Sequence, residues 1–132
     1  MSQHPETKAI SLQTPQTDQK EHATPMFLTS SFTYNSAEEM GEAFADDTLD
    51  VNIYSRFSNP TVDEFINKMT ALEGAEDGIA TGTGMAAIFS TFMTFLSKGD
   101  HILSASAVFG STHTILTKYL PKWGFEASYF DM

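Results

Sequence analysis

The chain has 132 residues, enough for one modest domain with a single hydrophobic core. Its 41% hydrophobic and 12% aromatic content indicates a globular protein, and a formal net charge of -10 argues against nucleic acid or an anionic membrane as partner. The absence of cysteine excludes disulfides, thiolate metal sites and cysteine nucleophiles.

The first segment is predicted to be an extended arm. Residues 1–35 are polar, contain Pro5, Pro15 and Pro25, and show no sustained hydrophobic period. No basic cluster precedes an apolar run there, so we predict no signal peptide and a cytoplasmic protein. The longest apolar segment, Met85–Leu96, is too short to span a bilayer.

A short helix is predicted next. Ser36 and Glu39 form a capping-box signal, and Met40, Ala43 and Phe44 then share one helical face. The acidic run that follows is interpreted as a solvated loop and comprises Asp46, Asp47 and Asp50.

A second helix is delimited by its terminal residues. Asn59 is a capping residue, Pro60 suits the first helical position, and Gly74 ends the helix. The apolar residues that follow the helical period are Val62, Phe65, Ile66, Met69 and Leu72.

Strands and helices alternate in the rest of the chain. A strand in "DGIATGTGM" leads to a buried helix closed by Gly99, a strand in "HILSASAVFG", a helix ended by Pro121, and a strand in "FEASYFDM". This βαβαβ order predicts an α/β fold with a mainly parallel sheet. We predict an arm region over residues 1–58 and an incomplete α/β domain over 59–132, because the last strand has no helix to cover it.

The glycine turn "ATGTGMAA" leaves three interpretations open. Gly82 and Gly84 fit a tight turn without ligand, a phosphate site formed by backbone amides at a helix start, or a dinucleotide fingerprint. The fingerprint expects an acidic residue at the end of the next strand, where Ala105, Ser106 and Ala107 stand. This absence weighs against the dinucleotide interpretation.

Two further side chains are candidates for ligand binding. Arg56, the only arginine, lies between Tyr54 and Phe57 and is either a phosphate ligand or a surface residue. Phe109 follows the second strand at the carboxyl edge of the sheet, where open α/β sheets bind ligands. Its ring either plugs the loop against a helix or stacks on a flat ligand.

Several ordered motifs resemble one enzyme family. "YSRFSNPT", "TGTGMAAI" and "VFGSTHT" are similar to the Cys/Met-metabolism group of pyridoxal-phosphate (PLP) enzymes. "FLTSSFTY" and "LPKWG" are most similar to the O-succinylhomoserine sulfhydrylase branch. The resemblance covers about residues 21–132 and implies the first part of a fold type I PLP-dependent transferase large domain.

The resemblance implies cofactor-binding roles for five residues. The backbone amides of Gly84 and Met85 match the phosphate ligands, and Phe109 matches the aromatic residue that stacks on the pyridine ring. Tyr54 and Arg56 match a pair that reaches the phosphate of a neighbouring subunit's active site. Many relatives carry tyrosine at the position of Phe109. Phenylalanine keeps the stacking ring but lacks the tyrosine hydroxyl.

The resemblance also implies that the catalytic residues lie elsewhere. The lysine that binds the cofactor, the carboxylate at the pyridine nitrogen and the arginine for the substrate carboxylate come later in the family. We therefore predict no catalytic residue within this chain and no activity of the chain alone. The lysines interpreted as solvated charges are Lys68, Lys98, Lys118 and Lys122. His101 and His113 have no metal-ligand partners at useful spacing, so no metal site is predicted.

The implied activity is γ-replacement on O-succinylhomoserine, or O-acetylhomoserine, with sulfide to form homocysteine in methionine biosynthesis. A cystathionine γ-synthase or methionine γ-lyase type of reaction is the alternative within the family. The implied assembly is a homotetramer, a dimer of dimers with shared active sites. An NAD-dependent oxidoreductase half-domain and a non-catalytic self-association module remain as alternatives of other classes.

Overall fold

A computed structural model describes residues 4–46 and 51–132. The chain divides into two compact units, residues 1–80 and 81–132, which are described separately below. The predicted division after residue 58 remains a prediction. Asp47 and Asp50 of the predicted acidic loop lie outside the described residues.

The first unit contains three helices in its described part: α1, Pro5–Ser11; α2, Ala37–Ala45; and α3, Pro60–Glu73. The prediction of an arm without packed structure is wrong at α1. Pro5 at the first helical position supplies a preset φ, and Glu6 in the first turn complements the helix dipole. Residues 12–35 contain no further helix and take an irregular path.

The predicted boundaries of α2 and α3 are confirmed by their caps. Ser36 Oγ accepts a hydrogen bond from the Glu39 amide at 3.1 Å, and Asn59 Oδ1 accepts one from the Thr61 amide at 3.0 Å. Helix α3 ends at Gly74, whose φ of 67° lies in the left-handed region that favours glycine.

The arm lies against α3 through one carboxylate. Glu64 accepts hydrogen bonds from the Thr14 amide at 3.2 Å and from the Thr24 hydroxyl, and Lys68 Nζ lies 2.6 Å from its Oε1. The hydrogen bond from Lys68 is the main cause that lowers the pKa of Glu64 below its ordinary value of 4.5. Partial burial acts in the opposite direction, and the Thr14 amide adds to the lowering.

We expect Glu64→Gln to loosen the arm, because its hydrogen bonds lose their charge. Hydrogen exchange at the Thr14 amide should become about five- to thirtyfold faster, the equivalent of roughly 1–2 kcal/mol. Glu73→Gln, an exposed glutamate on the same helix, is the matched control. Because the pKa of Glu64 is lowered, the ionised carboxylate stabilises the docked arm above pH 4.5. Protection of the Thr14 amide from exchange should therefore decline as the pH falls through the lowered pKa in the parent, but not in the variant, which has no carboxyl group at position 64. Equal protection of Thr14 in parent and variant would contradict this role.

The second unit is an α/β arrangement, as predicted. Helix α4, Gly84–Phe95, precedes strand β1, His101–Ala105, and strand β2, Glu126–Phe130, pairs with β1 in parallel. The register runs from His101 beside Glu126 to Ala105 beside Phe130. Between the strands, helix α5, Gly110–Thr114, continues into a π-helical turn, Ile115–Tyr119, and a 3₁₀ turn, Leu120–Trp123.

Three predictions for this half of the chain are wrong. Helix α4 ends at Phe95, with Leu96 as its C-terminal cap, and not at Gly99. The first strand, expected in "DGIATGTGM", does not form, because the described residues give it no ladder partner and leave Ile79 86% exposed. The helix before β2 does not end at Pro121. The π turn shifts the hydrogen-bond pattern, so the missing proline N–H falls within a 3₁₀ turn that runs to Gly124, whose φ is 86°.

The core of the second unit lies on one side of α4. Leu116 and Leu120 are each 1% exposed and Phe125 is 6% exposed. Phe92 and Leu96 pack against them. The prediction that α4 is a buried helix is wrong within this unit, because none of the side chains of α4 is fully buried. The reason is that this unit supplies a core for only one face of the helix.

Candidate functional site

The glycine turn presents two unpaired backbone amides. Thr83 caps α4: its Oγ1 accepts from the Ala86 amide at 3.1 Å, and its carbonyl accepts from the Ala87 amide at 3.1 Å. The amides of Gly84 and Met85 precede these, and the described residues offer them no acceptor. Two adjacent N–H groups at a helix start are therefore available to an anion.

The glycines of this turn are not required by the fold of the described residues. Gly82 and Gly84 do not have positive φ, and a Cβ at either position would meet no atom within 4 Å. Gly124 differs, because its φ is 86° and a Cβ would lie 2.8 Å from the Lys98 side chain. Glycine at positions 82 and 84 leaves room for another group to approach the backbone closely.

The charge at this helix start also suits an anion. Helices α2 and α3 carry acidic residues in their first turns, Glu38 and Glu39 in α2 and Asp63 in α3, whereas α4 carries none. An acidic side chain there would stabilise the helix dipole but repel a bound anion. The first turn of α4 thus leaves its positive end uncompensated.

The direction of α4 follows from its connection to β1. Only residues 96–100 join the end of α4 to the start of β1, and from this short connection we infer that the helix runs antiparallel to the strand. Its 12 residues rise about 18 Å, close to the length of the five-residue strand, about 16 Å. The glycine turn is therefore directed towards the carboxyl edge of the sheet, the edge at which open α/β sheets bind ligands.

Phe109 stands at the start of α5, after the carboxyl end of β1. Its side chain is 71% exposed, and its carbonyl accepts from the His113 amide at 3.0 Å. An exposed fraction of this size does not fit the plug interpretation. The end of β1 carries Ala105 and Ser106 and no acidic residue, so the ribose ligand of a dinucleotide site is missing.

Arg56 lies in the first unit between two aromatic rings. Its guanidinium carbon is 5.2 Å from the ring centres of both Tyr54 and Phe57, and these rings meet edge to face at 6.4 Å. In the part of the chain that the structure describes, no carboxylate pairs with Arg56. The two rings orient the exposed guanidinium and leave its donors free for an anion.

The loop that carries Arg56 is fixed by the arm. Tyr54 forms an antiparallel bridge with Ser31, and the Ser55 amide donates to the Ser30 carbonyl at 3.0 Å. The Phe57 amide donates to the Tyr54 carbonyl at 2.8 Å and closes a turn around Arg56. The backbone of the loop is thus well defined.

Sequence reasoning missed a second role of Asn59. We predicted only its helix cap, but its Nδ2 also donates to the Phe27 carbonyl and to Ser55 Oγ, each at 3.0 Å. Phe27 is 32 residues away in sequence, so no local pattern could reveal this contact. The available signal was a polar residue next to the arginine loop, and the structure buries it to 4% exposure.

The predicted site residues fall into two groups. Tyr54 and Arg56 are adjacent in the first unit, and Gly84, Met85 and Phe109 belong to the second. Within residues 4–46 and 51–132, no group of three or more acidic or histidine residues could hold a metal ion, and no helix is long and apolar enough to cross a membrane.

A parallel-sheet unit with a glycine turn at a helix start defines an α/β protein with a candidate phosphate site. The family described as Cys/Met metabolism PLP-dependent enzyme matches residues 6–132. The chain belongs to this family, whose cofactor is pyridoxal phosphate, and the predicted resemblance is confirmed.

The similar proteins include a sulfhydrylase and a gamma-lyase. O-succinylhomoserine sulfhydrylase from Pseudomonas aeruginosa is 39% identical over 124 residues, 94% of this chain and 30% of the relative. L-methionine gamma-lyase from Fusobacterium nucleatum is 39% identical over 109 residues, 83% of this chain and 27% of the relative. The chain therefore spans about 30% of the length of these relatives.

Solved structures of the family confirm the fold class. A putative O-acetylhomoserine (thiol)-lyase from Campylobacter jejuni, containing N'-pyridoxyl-lysine-5'-monophosphate, matches 98% of this chain and 32% of its own, with a TM-score of 0.88 and 29% identity. The metB protein of Corynebacterium glutamicum matches the same shares with a TM-score of 0.84 and 28% identity.

Proposed function

We propose that the amides of Gly84 and Met85 bind the phosphate of pyridoxal phosphate. The observation that carries the proposal is the pair of unpaired amides beside glycines that the described fold does not require. A phosphate dianion suits this position because both the N–H groups and the helix dipole favour negative charge. Phe109, exposed beside the same edge, then stacks on the pyridine ring.

We further propose that Tyr54 and Arg56 serve the phosphate of a neighbouring subunit. The guanidinium is exposed, oriented by two rings and without a carboxylate among the described residues, which suits an external phosphate. Shared sites of this kind require a homo-oligomer, for which we propose a dimer of dimers.

The full-length enzyme that contains this chain is proposed to be an O-acylhomoserine sulfhydrylase. Pyridoxal phosphate supplies the electron sink for such chemistry when bound. The carbon–oxygen bond at the γ-carbon of O-succinylhomoserine breaks, succinate leaves, and the sulfur of hydrosulfide bonds to that carbon to give homocysteine. The match to sulfhydrylases over most of the chain supports this reaction, and the match to a methionine γ-lyase supports elimination as the second candidate.

The chain alone is proposed to be inactive, because its lysines have other surroundings. Lys68 pairs with Glu64 at 2.6 Å, Lys98 lies against Gly124, and Lys122 lies over the Tyr119 ring at 5.5 Å. Lys118 is exposed on the π turn, Lys8 lies in the last turn of α1, and Lys20 is exposed in the arm. None is adjacent to Gly84 in the sequence or shares the glycine turn, so we assign the cofactor-binding lysine to another part of the enzyme.

The proposed function is tested on the purified full-length enzyme by absorbance and product analysis. We expect an absorption band at the edge of the visible range that borohydride removes, together with homocysteine formed from O-succinylhomoserine and sulfide. Substituting O-acetylhomoserine identifies the preferred acyl group. A keto acid and methanethiol formed from methionine would instead establish elimination. A colourless protein that binds NADH, or one that binds neither cofactor, would contradict the proposal.

A further inference from the structure

The side chain of Asn59 joins three separate segments of the first unit. Its Oδ1 accepts from the Thr61 amide at the start of α3, and its Nδ2 donates to the Phe27 carbonyl of the arm and to Ser55 Oγ of the arginine loop. The amide orientation is fixed by chemistry, because the Thr61 N–H can only donate and the Phe27 carbonyl can only accept.

The bond to Ser55 extends into the loop around Arg56. Ser55 Oγ donates in turn to the Thr29 carbonyl, and the Ser55 amide donates to the Ser30 carbonyl at 3.0 Å. Residue 55 is thus held from both its side chain and its backbone, one position before Arg56. A chain of hydrogen bonds therefore connects Asn59 to the arginine loop.

A helix cap alone does not account for these contacts. Serine, threonine or aspartate would cap α3 as well as asparagine does, but none of them has the amide donors that Nδ2 supplies. Asn59 is only 4% exposed, so losing those donors would remove the side-chain donor to the Phe27 carbonyl and the donor to Ser55 Oγ, which would keep only its bond to Thr29. The choice of asparagine is explained by the loop and the arm together.

We propose that Asn59 is a positioning residue that holds Arg56 ready for the phosphate of pyridoxal phosphate. This inference rests on the proposed role of Arg56. Asn59 does not touch the phosphate itself; it fixes the backbone of the loop so that the guanidinium meets the phosphate without first becoming ordered. A loop that must order on binding loses affinity by the cost of that ordering.

Asn59→Ser in the full-length enzyme separates the two roles, because serine keeps the cap and removes the amide donors. We expect affinity for pyridoxal phosphate to fall about tenfold, whereas affinity for pyridoxal, which has no phosphate, should stay within about twofold. In an Arg56→Ala background the same substitution should have no further effect, because both changes act on the same interaction between Arg56 and the phosphate. Asn67→Ser, an exposed asparagine on the same helix, is the control and should change neither affinity.

A purely structural role predicts a different pattern. Equal losses for pyridoxal phosphate and pyridoxal, or a loss that adds to that of Arg56→Ala, would overturn the inference while leaving the role of Arg56 intact.

An unchanged affinity in Arg56→Ala alone would refute the proposed role of Arg56, and with it this inference. If Asn59→Ser does not fold, Ser55→Ala removes the same contact from the loop side and should show the same selectivity for the phosphate, about threefold; equal effects on both ligands would again overturn the inference.

Discussion

Replacing Arg56 by alanine in the full-length enzyme is expected to weaken retention of pyridoxal phosphate about ten- to a hundredfold. A charge-assisted hydrogen bond contributes about 1.5–3 kcal/mol to binding. Because no carboxylate among the described residues pairs with the guanidinium, its removal breaks no ion pair within the described chain. The measurement is the dissociation constant of the cofactor, followed by absorbance after removal and re-addition.

Two variants control for other effects of losing Arg56. Arg56→Lys keeps the charge but not the paired donors, so its affinity should lie between parent and alanine variant. Lys122→Ala removes another cation that lies over an aromatic ring, and should leave the affinity unchanged. If Arg56→Ala holds the cofactor as tightly as its parent, the assignment of Arg56 is wrong.

Replacing Gly84 by proline is expected to weaken binding of pyridoxal phosphate while leaving α4 folded. Proline is compatible with the first helical position, and Thr83 before it already has the extended conformation, φ -153° and ψ 154°, that a residue before proline prefers. The substitution removes one backbone N–H from the proposed phosphate site. We expect at least a tenfold loss of affinity, measured as above.

Gly84→Ala is the matched comparison, because it keeps the amide and adds a Cβ. That Cβ meets no atom of the described chain within 4 Å, so the variant should fold with an unchanged or slightly raised melting temperature. Any loss of cofactor affinity in Gly84→Ala then reports close approach of the phosphate to the backbone. Parent-like affinity in Gly84→Pro would show that the Gly84 amide does not bind the phosphate.

Local signals explain which helices were predicted correctly. The caps at Ser36 and Asn59 and the stop at Gly74 depend only on neighbouring residues, so their boundaries could be read from the sequence. Helix α1 was missed because its seven residues, about two turns, show no apolar period. The π turn was missed because no local sequence rule distinguishes it from an α-helix.

Contacts between distant segments explain the remaining differences. Ile79 lies in an apolar segment of strand type, but a strand forms only with a ladder partner, which sequence does not show. The all-apolar pattern of α4 predicts burial, whereas the core of residues 81–132 covers one face. The five candidate site residues came from motifs, and the contacts of Asn59 with the arm and with Ser55 became visible only in the structure.

The most direct measurement is a structure of the full-length enzyme with pyridoxal phosphate bound. We predict phosphate oxygens within hydrogen-bonding distance of the Gly84 and Met85 amides, with the Arg56 guanidinium of an adjacent subunit on the same phosphate. A phosphate bound elsewhere, or Arg56 directed into solvent in the assembled oligomer, would contradict the proposed cofactor site.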